Sequence, residues 1–175
     1  MHKIHNAATA MIPLLLVFAV LYVVFTAGGD VEFAFLDREL WYRSPFVDPT
    51  APSPDWQRAL YLVIWLLPVA FGLFAVYCAL RLVMLIRRGV LFDTRVSRLL
   101  RLAGIGTALS GLTDVVANLF TPQVMSLSNP GGVLPFEWYF DSEPAGLVVC
   151  GGGFYLIGWI MTEARRLADE NEGFI

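Results

Sequence analysis

Four long apolar runs separated by short charged segments dominate this sequence. A helix crosses the hydrocarbon core of a bilayer with about 20 apolar residues at about 1.5 Å rise each. The runs at 7–27, 59–86, 99–120 and 145–161 meet that requirement. In hydrocarbon every backbone N–H and C=O needs a partner within the protein, which favours helices. Charged residues make up only 15% of the 175 and apolar ones 57%, whereas soluble domains carry about 25% charged residues. The sequence predicts an all-α fold. It is an integral membrane four-helix bundle forming a single transmembrane domain over 1–175, with the lipid bilayer as its first partner.

A cleaved signal peptide is the rival reading of the first run, because Lys3 precedes an apolar core. The run is long for that, and Phe25 spoils the small-residue pattern that cleavage after Ala27 would need. A retained helix is the reading adopted. Pro68 removes one backbone donor inside the second run and predicts a kink. Arg81 lies near the end of that run, where it can snorkel to the headgroups.

Basic residues set the orientation. With the N-terminus inside, Lys3, Arg81, Arg87, Arg88, Arg95, Arg98, Arg101, Arg165 and Arg166 share the inner side. Only Arg38, Arg43 and Arg58 lie outside. Both termini are therefore expected in the cytoplasm, with outer loops at 30–57 and 121–144, an inner loop at 87–98 and an inner tail at 162–175. The net charge of −3 gives no reason to expect direct binding to nucleic acid.

The short outer loops are rich in aromatic residues, among them Trp41, Tyr42, Trp56, Trp138 and Tyr139. Val31, Phe33 and Phe35 alternate and hint at a short strand. Asn129-Pro130-Gly131-Gly132 reads as a turn. One reading of the aromatics is a belt at headgroup level. The other is a folded aromatic-rich cap that binds a cationic or amphipathic ligand, since Asp37, Glu39, Glu137, Asp141 and Glu143 are interleaved with the rings.

Asp114 is the acid that falls inside a span. A charge at mid-bilayer costs about 2.5–3.5 kcal/mol on insertion scales, and such residues are functional by default. Asn118 stands one turn later and Ser110 one turn earlier, within reach of Asp114. The sharp reading is an intramembrane polar site for a proton, a cation or a small ligand. The plain one is an acid hydrogen-bonded to its neighbours. Small residues form rows on the third run (Ala103, Thr107, Gly111; Gly106, Ser110) and recur on the fourth (Gly146, Gly151, Gly152, Gly153, Gly158). Such rows predict close packing within the bundle or a homodimer. Cys78 and Cys150 lie in apolar runs and read as packing residues.

In the inner loop Gly89 is expected to end the second helix, and Asp93 or Thr94 to cap the third. Arg95, Arg98 and Arg101 then follow at three-residue spacing on one basic face. Headgroup binding is one use of it, at about 1 kcal/mol per arginine near anionic lipid. The other is an inner docking surface shared with Glu163 and Arg166 of the tail. The acidic end of that tail is complementary to the loop arginines.

The Gly89-Val90-Leu91-Phe92 element, the Arg98-Leu99-Leu100-Arg101 start of the third helix and the tail Glu163-Ala164-Arg165-Arg166-Leu167-Ala168-Asp169-Glu170-Asn171 occur together. In this the chain resembles a bacterial membrane family known as domain of unknown function 2975. The ending Gly173-Phe174-Ile175 departs from the family's more usual Asp-Leu-Thr-Ile. The resemblance implies four helices, the bacterial inner membrane and no assigned activity. It also implies a cytoplasmic helix-turn-helix transcription regulator as a partner.

Catalysis finds no support. The histidines are His2 and His5, near the N-terminus, so haem ligands within the spans and a zinc cluster are not expected. No nucleophile has a histidine beside it, and no cofactor is predicted. The expected function is a signalling or regulatory membrane protein that senses a ligand or membrane state and contacts a cytoplasmic regulator. The alternatives are a small proton- or cation-coupled transporter or channel subunit using Asp114, and a structural membrane scaffold.

Overall fold

The computed structural model describes residues 2–36, 38–90, 93–135 and 142–172. Among them every regular element is helical. Helix α1 (His2–Tyr22) runs into a π-helical turn (Val23–Ala27), then α2 (Gly28–Val31), a second π-helical turn (Glu32–Leu36) and α3 (Arg38–Arg43). Three long helices follow: α4 (Asp55–Arg87), α5 (Thr94–Met125) and α6 (Ser142–Glu172).

The segments Asn6–Val31, Asp55–Arg87, Thr94–Met125 and Ser142–Glu170 are each long and apolar enough to cross a membrane. Their outward side chains are bare of protein: Phe25 is 76% exposed, Val149 75% and Leu14 68%. A continuous apolar surface of this kind needs lipid around it. The chain is a multi-pass membrane protein. The 33 residues of α4 make a rod of about 50 Å, longer than the roughly 30 Å hydrocarbon core. The helices therefore run past the apolar runs that define them.

No strand forms at Val31–Phe35; Glu32–Leu36 is a π-helical turn instead. No other strand exists among the described residues to complete a ladder, so the backbone satisfies its own groups. The first helical run continues past residue 27, through Gly28–Val31.

Helices α4, α5 and α6 pack in series, and α1 packs on α4. No close backbone approach joins α1 to α6 among the described residues. Glycines decide how near the neighbours come. A Cβ on Gly104 would stand 2.5 Å from the Gly151 carbonyl oxygen, and one on Gly111 would stand 2.5 Å from that of Pro144. A Cβ on Gly72 of α4 would meet the Tyr22 hydroxyl at 2.8 Å, which seats the end of α1. Gly146, Gly152 and Gly153 have no heavy atom of another element within 4 Å.

The helix ends follow their sequence signals. Gly89, at φ +79°, ends α4. The Val90 N–H returns to the Leu85 carbonyl at 3.1 Å and the Gly89 N–H to Ile86 at 3.0 Å, the two bonds of a Schellman ending. Asp93 caps α5, its Oδ1 accepting the Arg95 N–H at 2.8 Å.

At the opposite end of the helices, Ala34, Trp41, Val47, Tyr61, Val124 and Met125 form a buried cluster. Tyr42, Phe46, Ile64 and Trp65 pack around it. Gln57 is fully buried beneath. Its Nε2 donates to the carbonyls of Val124 and Met125, both at 2.8 Å, and its Oε1 accepts from the Ser128 hydroxyl at 2.9 Å. Asn129 accepts the Asp48 N–H at 2.9 Å and donates to the Phe46 carbonyl at 3.0 Å. The expected turn closes with Gly132 N–H on the Asn129 carbonyl.

Candidate functional site

Asp114 is half-buried on α5 and lines a cavity of about 350 Å³. Side chains from four long segments meet there. Tyr22, Phe25, Thr26 and Asp30 come from the first helical run, and Trp65, Pro68 and Val69 from α4. Ser110 and Asp114 come from α5, and Glu143 and Leu147 from α6. The cavity stands where α1 and α6 do not touch, beside Pro68 of α4.

Local backbone chemistry places these groups. The π-helical turn Val23–Ala27 holds an extra residue per turn, and such turns recur at functional sites. Tyr22, Thr26 and Asp30, at four-residue steps along this run, line the cavity together. Proline at 68 interrupts the hydrogen-bond ladder of α4. Its carbonyl accepts the Ser110 hydroxyl at 2.9 Å, with the Tyr22 hydroxyl at 3.5 Å from the same oxygen. Trp65 is held by its indole N–H, which donates to Thr121 Oγ1 at 2.9 Å. Asp30 accepts the Tyr61 hydroxyl at 3.2 Å, tying the cavity to the buried aromatic cluster.

The polar group expected around Asp114 is rearranged. Ser110 lines the same cavity but bonds Pro68 on the neighbouring helix. Asn118 donates to the Asp114 backbone carbonyl at 3.1 Å, the back-bonding that a short amide one turn along a helix makes readily. Asp30 and Tyr22, which the sequence did not single out, line the cavity with Asp114, and so does Glu143, which the sequence assigned to the outer aromatic cap. Glu143 looks like a loop residue until α6 is seen to begin at Ser142.

Three carboxylates therefore share one cavity with a phenol and an indole. Among the described residues no group of three or more His, Cys, Asp or Glu is close enough to hold a metal ion. The arrangement is a diffuse acidic site with aromatic walls, suited to a proton or a monovalent or organic cation.

The expected aromatic residues divide. Trp41 is fully buried, edge-on to Tyr61 at 5.5 Å between centroids, and Tyr42 packs on the same cluster. Trp56 is 59% exposed, as a residue at headgroup level would be. Trp138 and Tyr139 lie outside the described residues.

The three loop arginines also divide. Arg95 and Arg98 line a pocket between α4 and α5. Arg101 instead packs against α6, where a Cβ on Gly158 would meet its Cγ at 2.7 Å. Three-residue steps slip by about 60° each on a helix of 3.6 residues per turn, so Arg101 lies about 120° from Arg95. In the tail Arg166 bridges Glu163 at 2.5 Å and Glu170 at 3.2 Å, and Arg165 approaches Asp169 at 3.8 Å. These ion pairs run along α6 itself rather than to the loop arginines. A notch of about 430 Å³ separates this tail from the start of α5, lined by Asp93, Ser97, Thr162, Arg165 and Asp169 among others. Asp93 is held below the usual carboxylate range, chiefly by the Arg95 N–H it accepts.

Residues 46–175 match the model of the family described as protein of unknown function (DUF2975). No curated protein and no solved structure matches the chain.

Proposed function

The chain belongs to the DUF2975 family, proteins of unknown function, and from that premise we propose that it is a regulatory membrane protein that senses a cation. The single observation behind this reading is the cavity in which Asp30, Asp114 and Glu143 stand with Tyr22 and Trp65. Acids inside a span are costly, and those that are kept tend to mark ion pathways, proton relays or ligand counter-ions. A cation bound there neutralises like charges and draws α1 toward α6.

The same reading gives the chain a bacterial inner membrane, with both termini in the cytoplasm and the aromatic cluster as an outer cap. Helix α5 carries Asp114 about two-thirds of the way along and Arg95 at its start, and Ser110 ties it to α4 at Pro68. A shift at the cavity is thereby felt at the inner end. There the charged tail of α6, with Glu163 and Arg166, and the notch beside it offer a docking surface to a cytoplasmic regulator.

The test titrates protons, sodium, potassium and tetramethylammonium onto the full chain in nanodiscs while following tryptophan fluorescence. A saturable response is expected that Asp114→Asn and Glu143→Gln each abolish. A wild-type chain that responds to none of these cations sinks the reading. A small cation-coupled transporter is the second reading, supported by the position of the cavity between α1 and α6, which leave it unsealed by direct packing. It requires flux in proteoliposomes that Asp114→Asn removes; a sensor gives saturable binding without flux.

A further inference from the structure

At the end of the helices opposite Trp41, Arg81 from α4, Arg88 just past its end, and Arg95 and Arg98 from α5 line one pocket of about 440 Å³. No carboxylate among the described residues lines it. Asp93, the cap of α5, lines the notch on the α6 side instead. The ion pairs of the described residues leave these four arginines out; Arg81 rests on Tyr77, its Nε donating to the phenol oxygen at 3.1 Å. Asp93 answers Arg95 in part, across the helix start; the like charges gathered on this pocket still favour an anion entering it. Between the arginines the pocket wall is apolar: Met84 and Leu85 on α4, Leu99 and Leu102 on α5.

We propose that this pocket binds the phosphate headgroup of an anionic phospholipid, with the upper acyl chain along the leucine and methionine wall. Two features choose a lipid over a free anion. The four arginines line a pocket toward the end of two span-length helices, where a bilayer headgroup sits. The apolar wall continues into the lipid-facing surface of the span, on which Met84 and Ile105 are exposed. Arginine forks match phosphate oxygens in pairs, so the site fixes a headgroup rather than merely attracting a charged surface. The inference is independent of the cation cavity and of any protein partner.

The test is native mass spectrometry of the full chain in detergent, titrated with phosphatidylglycerol or phosphatidylcholine. Wild type should retain phosphatidylglycerol selectively. Arg95→Gln/Arg98→Gln should weaken that retention about 30-fold, which is about 2 kcal/mol at about 1.4 kcal/mol per tenfold, or about 1 kcal/mol per arginine. Arg165→Gln/Arg166→Gln removes the same charge from the tail and should leave retention unchanged. Arg81→Gln/Arg88→Gln probes the same pocket from α4, should the first pair perturb folding. Equal loss in the pocket and tail pairs would reduce the effect to net charge and overturn the site. Displacement of the lipid by millimolar inorganic phosphate would overturn the lipid assignment in favour of a free anion.

Discussion

Gly104 and Gly151 meet backbone to backbone, since a Cβ on either would stand 2.5 Å from the other's carbonyl oxygen. Nothing flexible at that contact can give way. Gly151→Leu should destabilise the chain by about 1–3 kcal/mol through overpacking. Gly152→Leu, one residue on and facing open space, should be close to neutral. Thermal unfolding in detergent compares the two. Equal melting temperatures would mean that α5 and α6 part freely.

Gln57 anchors the end of α5 with two donated bonds and one accepted bond, all buried or half-buried. Gln57→Leu keeps the bulk, takes a donor from the Met125 carbonyl and leaves the Val124 carbonyl with the long Leu127 N–H contact at 3.4 Å. The expected cost is about 1–3 kcal/mol, with faster amide exchange confined to residues 124–132. Unchanged protection there would show that water replaces the amide without loss.

Much of this fold is legible in the sequence. Apolar run length alone locates the four helices, because hydrocarbon leaves the backbone one economical solution. Gly89 and Asp93 mark their helix ends by local chemistry that needs no tertiary partner. The cavity was half legible. Asp114 announces itself as a charge among apolar neighbours. Asp30 and Glu143 sit just past the apolar runs, where acids are ordinary. They join the cavity of Asp114 because the first helical run continues through the π-helical turn to Asp30 and α6 begins as early as Ser142. The split of Arg95 and Arg98 from Arg101 was readable from helical phase, but the side occupied by α4 and the side occupied by α6 were not.

The Asp93 cap gives a pH dependence of known sign. Its folded pKa lies below the ordinary carboxylate value, chiefly because it accepts the Arg95 N–H. The stability it contributes is present above the ordinary value and is lost as pH falls through the folded one, so the loss lies below about pH 4. Amide protection in the first turn of α5, corrected for intrinsic exchange, should fall in that range. Asp93→Asn keeps a capping oxygen without a titrating proton and should flatten the profile. A variant that follows wild type would assign the loss to other carboxylates.

Arg58 and Trp41 offer a sharper test of the aromatic cluster. Arg58 is only 2% exposed, and its guanidinium carbon lies 5.7 Å from the Trp41 ring centroid. Its Nε makes no hydrogen bond, and no ion pair to it occurs among the described residues. A buried charge is costly unless something answers it, and here the ring face does, with about 2 kcal/mol available when the cation is desolvated. Trp41→Leu should therefore cost more than its lost volume, about 3–5 kcal/mol in all, because the cation remains. Arg58→Met removes the charge and keeps the packing, so it should be nearly neutral. In the double variant part of the Trp41→Leu loss should return, giving a coupling of about 1–2 kcal/mol in a double-mutant cycle read by chemical denaturation in detergent. A coupling near zero would mean that the ring acts on Arg58 as bulk alone, and that the charge is answered elsewhere at this end of the helices.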